Sequence, residues 1–364
     1  MHISEIDTPA LLIDLDIFER NLARVGDYAR EHRLRLRPHT KTHKSPLVGR
    51  RQLDSGAVGL TVAKVGEAEV MLKSQTPDML IAYPVIGRSK LDRLMEVAKN
   101  TRLTVALDSL CAARQLSDAA RAAQVTVGVL AETDVGLGRV GVAPGPELVA
   151  LARGIQSFPK LMFEGITFYP GHIKDLGEHG HRQLQQLRET LASILSDFER
   201  EGIEVRVVSG GSTPTLYCSH EIPGLTEIRP GTYVYNDVNT VVSGGCGWED
   251  CAASILVTVV STARPGQIIV DGGSKTFSSD RLVNSNDATF GRITETPESV
   301  FHRMNEEHGY VDVTRANRDF SVGDRLQIIP NHVCVAVNLH ERVFGVRKGE
   351  VEEIWKVEAR GKLQ

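Results

Sequence analysis

Apolar and polar positions along the chain fall into two textures. Across the first two thirds, short β-branched or apolar runs alternate with stretches whose apolar residues recur at helical spacing. The runs are LRLRP from Leu34, VGLTVA from Val58, MLIAYP from Met79, LTVALD from Leu103, VTVGVLAE from Val125, GITFYP from Gly165, VRVVSG from Val205 and EIRPGTYVY from Glu227. Amphipathic segments such as KLDRLMEVAKN from Lys90 and RQLQQLRETLASILSDFERE from Arg182 lie between them. Strand and helix alternating eight times predicts an α/β chain closed as a TIM-type (β/α)8 barrel. A doubly wound sheet is the competitor, because periodicity does not show closure.

From about Val241 the pattern changes. Alternating runs dominate: SILVTVVS from Ser254, QIIVDGG from Gln267, RLQIIP from Arg325, VCVAVNL from Val333 and VEEIWKVEA from Val351. They predict a separate β-domain. The expected division is an N-terminal strand over 1–20, a barrel over 21–240 and a β-domain over 241–364. The early run TPALLIDL is expected to add a strand to the barrel.

Composition narrows the function classes. The chain has 364 residues, 41% hydrophobic and 24% charged, with a formal net charge of -4. Nothing in that balance attracts nucleic acid or an anionic membrane. No apolar stretch reaches the ~18 residues of a membrane span, and MHISEIDTPALLIDLD has no basic-then-apolar leader pattern, so a cytosolic protein is expected. Five cysteines form no dense framework, which fits reduced thiols.

Barrel enzymes gather their chemistry at the C-terminal ends of the strands. Just past the eight runs stand His39-Thr40-Lys41, Lys64, Tyr83, Asp108, Asp134, Tyr169 to His172, Ser209 to Thr213 and Pro230 to Tyr233. VVSGGSTPT and RPGTYVY follow the seventh and eighth strands, where such barrels bind phosphate; two tight turns are the bland alternative. Lys41 lies in RPHTKTHKSP beside His39, His43 and Lys44. Neighbouring cations favour a neutral amine able to form a Schiff base, and a solvated basic loop is the other reading. His332 and Cys334, two apart on an expected strand, share one face and can reach one metal ion; a buried thiol beside a satisfied histidine competes.

Together these segments resemble the fold-type III pyridoxal phosphate enzymes of the D-threonine aldolase and D-serine dehydratase family, relatives of alanine racemase. The resemblance rests on DTPALLIDLD, RPHTKTHKSP, GLTVAKVGEAEVM, ETDVGLGRVGV, TFYPGHI, VSGGSTPT, EIRPGTYVYND, DGGSKTFSSD and GDRLQIIPNHVCVAVNLHE, in order from residue 7 to about 341. It implies a pyridoxal 5'-phosphate-binding barrel with a C-terminal β-domain. By resemblance, Lys41 holds the cofactor covalently, Arg139 pairs with its phenolic oxygen, and Tyr169 stands near the pyridine nitrogen. Ser209, Gly211, Ser212, Thr213, Gly231, Thr232 and Tyr233 match the phosphate cradle, and His332 and Cys334 match a zinc or manganese pair.

The implied substrate is a D-β-hydroxy amino acid. Two reactions are implied, retro-aldol cleavage to glycine and an aldehyde, or dehydration to a 2-oxo acid and ammonia. The aldolases carry His-x-Asp at the metal pair and the dehydratases His-x-Cys, whereas the N-terminal motifs are at least as aldolase-like. The expectation is cleavage first, dehydration second. A homodimer is also implied, with the β-domain of one subunit over the barrel of the other. A racemase, which needs no metal, and a non-catalytic cofactor carrier, which lacks the β-domain, are the remaining alternatives.

Overall fold

The computed structural model describes residues 1–282 and 289–364. They form two compact units. One contains Arg24–Lys41, Pro46–Gly231 and Gly361–Gln364; the other contains Met1–Ala23, Thr42–Ser45 and Thr232–Arg360.

The first unit holds an eight-stranded, wholly parallel sheet, and all eight runs supply its strands: Arg35–Leu36, Leu60–Val62, Asp78–Ile81, Arg102–Leu107, Val127–Glu132, Leu161–Thr167, Val207–Gly210 and Glu227–Ile228. Neighbours in sequence are neighbours in the sheet, and Arg35–Leu36 pairs with Glu227–Ile228. The remaining gap is closed by Val58 N donating to Leu36 O, Thr61 N to Pro38 O and Thr40 N to Thr61 O, with a parallel bridge between His39 and Thr61. The sheet is therefore a barrel and not an open doubly wound sheet. Its strands are buried on both faces, Val127–Glu132 at every position, which is why they read as continuous apolar runs.

Helices cover the strands through one face each. Glu178–Arg200 buries Leu184, Leu187, Leu191, Ile194 and Phe198, spaced three and four apart. Each such side chain contributes about 1.5 to 3 kcal/mol by leaving water.

The barrel interior also carries a buried polar chain. Arg37 donates to both oxygens of Asp78 at 2.6 and 3.1 Å and to Glu227 Oε2 at 2.8 Å. Ser209 Oγ donates to Glu227 Oε1 at 2.7 Å and accepts from Arg229 Nη1 at 2.6 Å; Arg229 also donates to Thr167 Oγ1 and Phe168 O. Buried charges persist only when paired and hydrogen-bonded, and here each link supplies the next.

The second unit is built on a sheet that is nine-stranded among the described residues. Its path runs Val300–Met304, Gly309–Asp312, Gln267–Val270, Ala253–Arg264, Ala10–Asp14, Arg342–Arg347, Glu350–Lys356, and Arg325–Pro330 joins Ala253–Arg264 to Gly291–Ile293. Two expectations are corrected here. The early run TPALLIDL does add a strand, but to this sheet: Ala10–Asp14 lies antiparallel to Ala253–Arg264 and parallel to Arg342–Arg347. A short apolar strand carries no signal of which sheet will pair with it, and tertiary burial decides.

VCVAVNL is not a strand. Val333–Leu339 is a helix that buries Val333, Ala336 and Val337, the i, i+3, i+4 set. A short run as largely apolar as this one suits a buried helix as well as a strand. The decisive partner is remote, because Asp237 Oδ2 accepts from Val333 N at 2.9 Å and caps the helix start.

Candidate active site

Three side chains singled out in the sequence meet at the C-terminal ends of the barrel strands. The ring of Tyr169, after Leu161–Thr167, has Lys41 Nζ 5.8 Å and Arg139 Cζ 4.9 Å from its centroid. Lys41 follows the first strand, with its backbone N–H donating to His39 Nδ1 at 3.3 Å. The Lys41 and Arg139 side chains thus both lie over one aromatic ring, which steadies a cation without neutralising it.

Arg139 is presented by a loop whose shape is dictated locally. After Val127–Glu132 the chain turns through DVGLGRVG and returns to bridge Thr133 with Val142. Asp134 Oδ1 accepts from the N–H groups of Gly136, Leu137 and Gly138 at 2.9 to 3.1 Å. Burial pushes the Asp134 carboxyl up, but these backbone donors together outweigh it and hold it below the usual range. Gly141 has φ +103, and a Cβ there would sit 2.6 Å from Asp134 N, so only glycine closes the loop. Asp134→Ala removes the acceptor. It is expected to lower kcat/KM about tenfold with the cofactor still bound, since bonds to a charged group contribute about 1.5 to 3 kcal/mol each before the discount for exposure; steady-state kinetics and cofactor titration check it.

At these strand ends the buried atoms His172 Nδ1 and Glu132 Oε2 have no hydrogen-bond partner among the described residues. Burial holds the His172 imidazole below its ordinary value, against the pull of Asp134. Burial also pushes the Glu132 carboxyl above its range, against Arg229 and Arg139. Two buried polar atoms left open in this way suit the polar edge of a bound heterocycle.

Of the residues expected to hold phosphate, Gly211, Ser212 and Thr213 form a buried turn after the seventh strand. Gly211 has φ +94, and Ser212 Oγ lies 3.1 Å from Thr215 Oγ1. Gly231 ends this unit's main segment, and Thr232 and Tyr233 begin a short 3-10 turn in the other unit. Ser209 is placed differently from its expected role. Its hydroxyl is fully committed to Glu227 and Arg229, so it braces the barrel interior and has no bond left to donate to phosphate.

His332 and Cys334 belong to the second unit, at the N-cap and in the first turn of Val333–Leu339. Proximity survives the change from strand to helix. His332 Nδ1 bonds Asp280 Oδ2 at 2.8 Å, which leaves Nε2 as the ligating nitrogen. Cys334 Sγ lies 3.2 Å from Thr42 Oγ1 and 3.8 Å from Thr232 Oγ1. The Cys334 thiol pushes His332 up to about 10 against its burial, with Asp237 and Asp280 adding to the effect. An imidazole and a thiol that share a proton, oriented by a carboxylate, fit a zinc-type donor pair once that proton is displaced. Among the described residues no group of three or more His, Cys, Asp or Glu is arranged to hold a metal ion.

The remaining members of RPHTKTHKSP divide between the units. His43 is fully buried with Nδ1 accepting from Ser45 N, and Lys44 Nζ donates to Asn338 Oδ1 at 2.9 Å. Asp237 escaped sequence reading. Its signal was an Asp directly before the helix Val238–Val242, which it caps through Thr240 N.

Known proteins are similar to this chain along most of its length. Residues 13–238 match the family described as alanine racemase, N-terminal domain, and residues 252–346 match the putative serine dehydratase domain. The chain is 33% identical to 3-hydroxy-D-aspartate aldolase of Paracoccus denitrificans (strain Pd 1222), over 99% of this chain and 93% of that protein. The crystal structure of D-threonine aldolase from Filomicrobium marinum superposes with a TM-score of 0.92 at 32% identity, covering 100% of this chain and 97% of the other. D-threo-3-hydroxyaspartate dehydratase from Delftia sp. HT23 superposes with a TM-score of 0.89 at 30% identity, covering 98% of both chains. Structures of that dehydratase include forms with a histidine, or a cysteine two positions later, replaced by alanine, the latter metal-free.

Proposed function

The chain belongs to the alanine-racemase-like lyases that act with pyridoxal phosphate, and from this premise we propose retro-aldol cleavage of D-3-hydroxy amino acids to glycine and an aldehyde. The observation that carries the proposal is the meeting of Lys41 and Arg139 on the ring of Tyr169 at the strand ends. When bound, pyridoxal phosphate withdraws electrons from the amino acid's α-carbon while a divalent metal polarises the β-hydroxyl.

This chain's residues supply the rest. Lys41 would hold the cofactor covalently and, as a free amine, hold or take a proton at Nζ. Arg139 would pair with the cofactor's phenolic oxygen through its guanidinium. Tyr169 would offer the pyridine side a phenol in place of a carboxylate. Gly211, Ser212, Thr213 and Gly231, with Thr232 and Tyr233 next in the chain, are assigned to the phosphate. His332 and Cys334 are assigned to the metal, zinc or manganese.

Dehydration to a 2-oxo acid and ammonia is the second reading. It is favoured by Cys334, because the Delftia dehydratase also has a cysteine two positions after a histidine. In that reaction the proton taken at Lys41 Nζ comes from the α-carbon. We also propose that the protein is a cytoplasmic homodimer; no helix among the described residues is long and apolar enough to cross a membrane. Product analysis decides the reaction. Incubation with D-threonine and D-serine is expected to release glycine and acetaldehyde from the former; 2-oxo acid and ammonia from both selects dehydration.

A further inference from the structure

The charges at the barrel rim are unequally engaged. Three carboxylates there are taken up by backbone donors: Glu67 Oε2 accepts from Ala63 N at 2.8 Å, Asp108 Oδ2 from Gly141 N at 3.1 Å, and Asp134 from its loop. Three cations at the same strand ends, Lys41, Lys64 and Arg139, make no ion pair among the described residues and rest on tyrosine rings instead. The proposed function assigns Lys41 and Arg139 to the cofactor. Lys64 is left over.

Register places it beside Lys41. His39 pairs with Thr61, and Val62 pairs with Ile81, so Lys41, Lys64 and Tyr83 leave three adjacent strands at one rim. Lys64 is the N-cap of the helix Val65–Met71, yet its side chain makes no capping bond. Its Nζ stands 3.6 Å from the centroid of Tyr83, which is 44% exposed. An aromatic face steadies an ammonium without neutralising it, so the charge stays available for a carboxylate.

We propose that Lys64, held on Tyr83, binds a carboxylate of the substrate. The proposal rests on the lyase reading and deepens it. Every 3-hydroxy amino acid carries an α-carboxylate, and a hydroxyaspartate carries a second one at the far end; both present the same chemistry to Lys64.

The test compares wild type, Lys64→Met and Lys64→Arg as holoenzymes. Lys64→Met is expected to lower kcat/KM about ten- to a hundredfold, mainly through KM, the range for a charge-assisted contact. Lys64→Arg restores most of it, and the yellow absorbance of the bound cofactor is unchanged in both. A loss confined to D-3-hydroxyaspartate assigns the contact to the distal carboxylate, and an equal loss with D-threonine assigns it to the α-carboxylate. Unchanged KM for both substrates, or a loss that tracks loss of the yellow absorbance, overturns the proposal. Calorimetric titration with D-malate, which has the hydroxyl and both carboxylates but no amine, separates this site from the reaction. Weaker malate binding to Lys64→Met upholds the carboxylate site even if wild type cleaves neither amino acid. Equal affinity, or no binding to wild type, overturns it.

Discussion

Lys41→Ala is expected to give a folded, colourless protein with no measurable turnover. The Nζ of Lys41 contacts the face of Tyr169 at 5.8 Å, and the residue is exposed. Truncating such a side chain changes stability by about 0.5 kcal/mol or less. Thermal unfolding should therefore be almost unmoved while the covalent link to the cofactor disappears. Activity should fall by at least about a thousandfold, since the residue that splits the reaction into easier steps is gone. Lys41→Arg should fare no better, because a guanidinium does not give up its proton to become a nucleophile. A purified Lys41→Ala protein that stays yellow and active would falsify the assignment.

The second large effect is expected at the metal pair. His332→Ala and Cys334→Ala should each leave the yellow absorbance intact yet lower metal affinity by more than about a hundredfold, the upper range already seen when only an outer partner of a ligand is lost. Metal content after dialysis and turnover with added zinc or manganese measure it. Cys334→Asp is the informative variant. A thiolate favours zinc, and a carboxylate suits manganese or magnesium, so the preferred ion should shift even where total activity falls. Full metal content and full turnover in both alanine variants would remove the site.

These expectations start from residues that were legible before any coordinates. The eight barrel strands could be read because burial on both faces forces uninterrupted apolar runs, and the rule that barrel chemistry sits past the strands pointed to Lys41 and Tyr169, while Arg139 came from the family resemblance alone. Side chains that answer to remote partners were not legible. Ser209 looked like a phosphate ligand among other small residues. Only the fold turns its hydroxyl onto Glu227 and Arg229, which lie 18 and 20 positions away.

The His-x-Cys motif shows the same division more sharply. The residue types named the chemistry, imidazole with thiol, and that depended on nothing beyond the sequence. The geometry assigned to it from a strand period was wrong, since His332 caps a helix and Cys334 lies in its first turn. Asp237, 96 positions upstream of Val333, selects the helix by supplying the acceptor its first N–H group needs. Likewise Ala10–Asp14 is a strand by its own composition, but its two neighbours come from around residues 256 and 343. Local periodicity and donor chemistry are properties of a few consecutive residues and can be read from them. Which strand pairs with which, and which carboxylate meets which N–H, depends on contacts between distant segments, and those exist only once the chain has folded.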